Sequence, residues 1–278
     1  MPSDCGYCGD DCESCCTDCC EDSGGESGGN HHRKIYRDKS PKNANRHIGV
    51  EIEFISPKQQ HVIAEILEGA GLDDICCLKD DGSVEADDKY GHELTILTTE
   101  RTYQADLKKI CRVLNSECAA DINASCGLHV HLDMRGRVKE RAYENLVRAQ
   151  DILFQMQPLS RRTNTFCKPS PRNFQYTVDN RERYLAINPC AYRRHKTIEV
   201  RLHSGTTNAI KITNWVELLL KIVNKRKELA FDLTDLKLFN KEIKVRNKIK
   251  RYMIERIRSF ATRAVPTPIG DDNMNAPN

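Results

Sequence analysis

The sequence predicts an α+β fold built on an antiparallel sheet. Some short segments alternate apolar and polar residues with period two, and others repeat apolar residues at helical spacing. The two kinds interleave without a regular βαβ rhythm, which argues against a parallel sheet.

In chain order, residues 48–54 (IGVEIEF) alternate apolar and acidic side chains and predict a half-buried strand. Ser56-Pro57 predicts the N-cap and first turn of a helix. That helix places Val62, Ile63, Ile66, Leu67 and Ala70 on one face, and Gly69 and Gly71 help to stop it. Asp80-Asp81-Gly82-Ser83 has turn chemistry. Residues 92–98 (HELTILT) predict a strand, and 100–118 a helix through Tyr103, Leu107, Ile110, Cys111 and Leu114. Residues 125–133 (SCGLHVHLD) alternate again, and a helix is expected over 138–157. The Pro-, Asn- and Arg-rich stretch 160–180 predicts loop. Strands are expected at 183–189 and 196–203, a strongly apolar helix at 208–231 and a basic helix at 238–262.

With 278 residues and 39% hydrophobic content the chain can bury a substantial core. Its longest apolar stretches fall well short of the roughly 20 residues a membrane span needs. The first thirty residues are acidic and Cys-rich rather than basic then apolar, so no signal peptide is expected. A cytoplasmic location without a membrane partner is the expectation. The net charge of +3 averages unlike parts: residues 1–30 hold eight acids and no Lys or Arg, whereas 221–263 hold 14 basic and five acidic residues. The expected organisation is an acidic Cys-rich segment (1–30), a linker (31–45), a globular unit (46–231), a basic helix (232–263) and a disordered tail (264–278). Seven of the 14 cysteines lie between Cys5 and Cys20, which excludes an even disulfide framework. Cys5, Cys8, Cys12 and Cys15 have spacing suited to Zn²⁺, and a disordered tail is the competing reading.

Three separated strand candidates share one kind of polar face. Glu51 and Glu53 oppose Val50, Ile52 and Phe54. His129 and His131 oppose Leu128, Val130 and Leu132. Glu199, Arg201 and His203 oppose Ile198, Val200 and Leu202. Such alternation on one strand is commonly a solvated sheet face. Three strands bearing only carboxylate, imidazole and guanidinium groups fit a metal and phosphate site better. Carboxylates suit Mg²⁺, imidazole also accepts Mn²⁺ or Zn²⁺, and Arg201 suits phosphate oxygens.

These residues resemble the amidoligase family. The match runs through GVEIEF (49–54), LKDDGSVE (78–85), GHELTI (91–96), CGLHVHLD (126–133), RRTNTFC (161–167), RYLAIN (183–188) and HKTIEVRLHSGTTNAIKITNW (195–215). The family belongs to a carboxylate–amine ligase superfamily that includes glutamine synthetase and glutamate–cysteine ligase. The resemblance implies a curved antiparallel sheet whose concave face holds ATP, divalent cations and substrate, with helices on the other face. It implies metal-binding roles for Glu51, Glu53, Glu93, His129 and Glu199, and phosphate-binding roles for His131, Arg201 and His203. Asp81 or Glu85 would serve as general base, and Ser83, Arg161, Arg162, Asn188, Gly205 and Thr206 would line the site.

The implied reaction is ATP-dependent, with Mg²⁺ or Mn²⁺, and forms an amide through an acylphosphate. The substrates would be a carboxylate and an amine carried by an amino acid, a peptide or a protein side chain. Guanidino phosphotransfer within the same superfamily is a second reading, and a non-catalytic zinc- or nucleic-acid-binding protein a third. Sparse aromatics in the basic segment argue against a single-strand nucleic-acid groove. Cys126 and Cys167 read as small buried groups rather than nucleophiles. Deleting residues 1–30 is expected to leave ATP turnover intact; loss of folding on that deletion would refute the assignment of this segment as an accessory.

Overall fold

The computed structural model describes residues 46–261. The 1–30 segment with Cys5, Cys8, Cys12 and Cys15, the 31–45 linker and the 264–278 tail lie outside the described residues.

Six strands form one antiparallel sheet: β1 (His47–Ser56), β2 (Cys76–Asp80), β3 (Tyr90–Thr99), β4 (Gly127–Asp133), β5 (Ile187–Asn188) and β6 (Thr197–Ser204). Their order is β2-β3-β1-β4-β6-β5, so the strands carrying the acidic and imidazole alternations are central neighbours. The nine α-helices among the described residues are α1 (Gln60–Gly69), α2 (Tyr103–Ser116), α3 (Lys139–Gln155), α4 (Leu159–Arg162), α5 (Phe174–Asn180), α6 (Tyr192–His195), α7 (Ala209–Val223), α8 (Leu236–Ile243) and α9 (Asn247–Ala261). No helix of the described residues is long and apolar enough to cross a membrane.

The alternating apolar residues bury one face of the sheet. Val50, Ile52, Phe54, Leu94, Ile96, Leu128, Val130, Leu132, Ile198 and Val200 join a single core with the helices. Ile110 and Leu114 of α2, Leu146 and Leu153 of α3, and Trp215 and Leu219 of α7 pack into that core. Strand period two and helix period 3.6 thus direct apolar side chains into the same space.

Several sequence expectations are corrected. Ser56 is not a helix cap: it ends β1, where its hydroxyl donates to the Cys118 carbonyl, and α1 begins four residues later. The Cys76–Asp80 strand is not predicted by the sequence, because its five residues lack clean alternation. The expected loop at 160–180 contains α4, a 3-10 turn (Thr165–Cys167) and α5. Asn164 and Asn173, read as loop formers, cap the last two by accepting from Phe166 N and Tyr176 N. Only Ile187–Asn188 of the expected 183–189 strand is paired as a strand.

The expected 208–231 helix stops at Val223, and the chain then runs back along α3, where Leu229 N donates to Asn145 Oδ1 and Leu233 N to the Arg148 carbonyl. The expected single helix at 238–262 is two. Lys244 adopts the left-handed conformation (φ 55°) and ends α8, and Arg246 then forms a forked ion pair with Glu217 of α7.

Both terminal helices complete the core. Phe239, Ile243, Ile249, Tyr252 and Met253 are buried. At about 1.5–3 kcal/mol per buried side chain, their contribution is comparable with the ~5–15 kcal/mol net stability of a domain. A chain ending at residue 231 is therefore expected to lose cooperative thermal unfolding, as followed by circular dichroism. A wild-type-like transition would refute this.

Candidate functional site

The register of the sheet assembles the polar face row by row. Glu53 pairs with Glu93, which pairs with Lys79. Glu51 lies between Thr95 and His129. His131 pairs with Glu199, which pairs with Asn188. Directly opposed residues have side chains about 5 Å apart at Cβ, so these groups must interact.

Glu51 is the hub. Its two oxygens lie 3.0 Å from His129 Nδ1 and 3.1 Å from His131 Nε2. His129 also lies 3.4 Å from Glu53 and 3.6 Å from Glu199. Glu53 accepts from the Gly127 backbone N–H at 2.5 Å. A Cβ on Gly127 would come within 3.0 to 3.1 Å of His129, Arg161 and Glu53, so the side chains converge over a bare backbone. Arg201 forms an ion pair with Glu199, and Asn188 donates to the other Glu199 oxygen at 3.0 Å.

The titration of these groups follows from their neighbours. Burial alone would raise the Glu51 carboxyl, but His131 and His129 hold it well below the usual carboxylate range. Burial would lower the His131 imidazole, but the Glu51 charge lifts it to about 9. Burial and the charge of Glu51 push Glu93 up to about 7, even though Lys79 lies 2.8 Å away.

Three ligand groupings fall within 4.8 Å: Glu51 with Glu93 and His129, Glu51 with His131 and Glu199, and Glu53 with Asp81 and Glu93. Five of the seven residues are carboxylates, the donor set preferred by Mg²⁺ and Mn²⁺. Beside them opens a cavity of about 270 Å³, lined by Glu53, Ser83, Glu85, Ser125, His129, Arg161, Asn164, Phe166 and Arg201. Asp81 is held in its turn, accepting from Ser83 N at 2.8 Å and Ser83 Oγ at 2.6 Å. Glu85 is exposed at the cavity wall with no side-chain partner among the described residues.

Four expected site residues lie elsewhere. His203 is on the opposite, core face. Val130 pairs with Val200 but Leu128 with His203, so β6 carries one extra residue opposite His129. This bulge reverses the alternation. His203 packs 5.1 Å from the Trp215 ring and lies 3.1 Å from Tyr252 Oη. Burial and the nearby Arg256 charge push its pKa well down, so it is neutral. Arg162 donates to the carbonyls of Phe154, Gln155 and Gln157 at the end of α3. Gly205 meets the Cys126 backbone, where a Cβ would lie 2.6 Å from Cys126 Cβ. Thr206 accepts from Asn208 N and shapes the entry to α7.

The site also holds residues without an assigned role in the sequence: Lys79, Ser125, Asn164, Phe166 and Thr197, whose hydroxyl lies 3.2 Å from His131 Nδ1. Thr197 has the parity of Glu199 and was within reach of the alternation argument. Lys79 was not, because β2 went unread. Cys126 and Cys167 are buried, and burial raises both thiols, in keeping with packing roles.

A sequence model of the family described as "Putative amidoligase enzyme" matches residues 73–176 and 144–223, together more than half of the chain. The protein belongs to the amidoligase family. No curated protein matches the chain. In this chain β1, with Glu51 and Glu53, precedes the matched residues, and α8 and α9 follow them. Sheet register brings the β1 carboxylates to the family's His129, His131 and Glu199.

A divalent cation held by these groups would have to displace the protons of His131 and Glu93. Mn²⁺ affinity is expected to rise with pH between 6.5 and 9, by roughly tenfold per pH unit for each proton displaced. Calorimetry in buffers of different ionisation enthalpy should register proton release. Affinity independent of pH would contradict this arrangement.

Proposed function

We propose that this amidoligase joins a carboxylate to an amine at the expense of ATP, with Mg²⁺ or Mn²⁺ on the acidic face. The observation that carries this reading is the convergence of Glu51, Glu53, Glu93, Glu199, His129 and His131 with Arg201 beside one cavity. Glu51, Glu53, Glu93, Glu199 and His129 would hold the divalent cations, which would offset the charge of the ATP phosphates. The six-stranded antiparallel sheet, with one polar face and one face packed by helices, supports a glutamine-synthetase-like fold.

A carboxylate is a poor electrophile. Transfer of the γ-phosphoryl group of ATP to a carboxylate oxygen gives an acylphosphate and ADP. The amine nitrogen then attacks the acyl carbon, the C–O bond to phosphate breaks, and amide, phosphate and a proton leave. Arg201, partly offset by Glu199, would stabilise charge on the transferring group. Asn188 fixes the second Glu199 oxygen and so orients that pair. Glu85 is the better candidate to accept the amine proton, because Asp81 is engaged with Ser83 and grouped with Glu53 and Glu93. The substrates are an amino acid, a peptide or a protein side chain, and a cytoplasmic setting belongs to the same proposal.

Glu53→Gln and Glu199→Gln are each expected to lower ATP turnover by at least about a hundredfold while circular dichroism stays unchanged. Candidate amino acids and peptides should be screened by mass spectrometry for an ATP-dependent loss of water between two substrates. Wild-type turnover in both variants would remove the acidic face from the mechanism. A phosphorylated product without amide would replace ligation by phosphotransfer.

A further inference from the structure

Arg161 is a buried cation, 4% exposed, with no carboxylate of the described residues at ion-pairing distance. Glu53, which converges on the same point over Gly127, attracts it from farther away. Its Nη2 donates to the Arg201 carbonyl at 2.7 Å, while its Nε is buried and has no hydrogen-bond partner. Other enclosed arginines have a carboxylate or several acceptors, and Arg148, whose Nε is likewise unpartnered, still pairs with Glu228. Arg201 pairs with Glu199, and Arg137 pairs with Glu100. Arg256 has no carboxylate either, but its guanidinium reaches Met156 O, Gln157 Oε1 and Ser204 Oγ. Of these arginines, Arg161 and Arg201 line the cavity, and Arg201 has Glu199 as its counter-ion. An unpaired buried charge is strongly unfavourable, and a missing hydrogen bond at a buried donor adds to that cost. Both deficits are removed together by an oxyanion entering the cavity.

We propose that Arg161 is the receptor for a carboxylate of the substrate acid. Its guanidinium is a planar fork, and the unpartnered Nε–H is one of the donors such a fork offers to a carboxylate. The acids Glu51, Glu53, Glu93 and Glu199 would repel an incoming carboxylate, and Arg201 is already partly neutralised by Glu199. Arg161, attracted by Glu53 only beyond ion-pairing distance, supplies the remaining positive charge on the cavity wall. Ser83, Glu85 and Ser125 on the same cavity provide acceptors for the remainder of a polar substrate. The identity of the anion rests on the ligase reading, whereas the need for an anion rests on the geometry of Arg161 alone.

The test uses binding rather than turnover. Acetate and glutarate serve as carboxylate probes, inorganic phosphate and Mg·AMP-PNP as phosphoryl probes, all at constant ionic strength with the full chain. Arg161→Gln is expected to weaken glutarate binding by about tenfold or more while leaving Mg·AMP-PNP affinity within about twofold. In wild-type protein the Arg161 Nε–H resonance, assigned by its loss in Arg161→Lys, should shift on adding glutarate. This second measurement does not depend on the glutamine variant folding. Selective loss of phosphate or Mg·AMP-PNP binding would assign Arg161 to the nucleotide and overturn the proposal. Absence of carboxylate binding by wild type, or equal binding by wild type and a folded variant, would also overturn it. Carboxylate binding through Arg161 without any amide product would instead sink the ligase reading and leave the receptor in place.

Discussion

Carboxylates gathered on one sheet face repel one another. At a separation of 4 Å and an effective dielectric of 20, each such pair is unfavourable by about 4 kcal/mol. Glu51, Glu53, Glu93 and Glu199 stay together because the strand register leaves them nowhere else to go, and because partners are interleaved among them. Lys79 meets Glu93, Arg201 meets Glu199, His131 meets Glu51, and the Gly127 N–H meets Glu53. The compensation is incomplete at Glu93, whose proton is retained up to about pH 7. The opposite face must supply the stability this arrangement consumes, and it does so with a nearly continuous apolar surface covered by α2, α3 and α7.

The helices beyond the family match belong to that support. Tyr252 lies against His203, and Arg256 binds Gln157 and the Met156 carbonyl. Gln157 accepts in turn from Ser204 N, at the end of the strand that carries Glu199 and Arg201. It also lies four residues before Arg161. One buried polar network thus braces both β6 and the segment that delivers Arg161 to the cavity.

Much of the site was legible because strand alternation is a local rule. Glu51, Glu53, His129, His131, Glu199 and Arg201 could be assigned to one kind of face from their own strands. What joins those faces is register, which depends on non-local pairing and is silent in any single segment. The short strand β2 and the two-residue β5 have too few residues for a period to declare itself, so Lys79 and the Asn188 contact emerged only from the fold. Helix ends were misread where tertiary contacts decide them: Glu217 draws Arg246 into the break between α8 and α9, and Asn145 draws the chain away from α7. Arg161 and Arg162 are adjacent in one motif, yet one faces the cavity and the other closes a helix. Residue type alone could not separate them.

The extra residue in β6 has a wider meaning. Up to Arg201 the odd positions of the strand face the carboxylates and the cavity; from His203 onward they speak to Trp215 and Tyr252. The bulge acts as a commutator, exchanging the two sides of the sheet along a single strand. A change of chain length by one residue at that point would hand an imidazole to the polar face and take it from the core. Length at Arg201–Leu202 is therefore as much a part of this protein's chemistry as the identity of the side chains on either side.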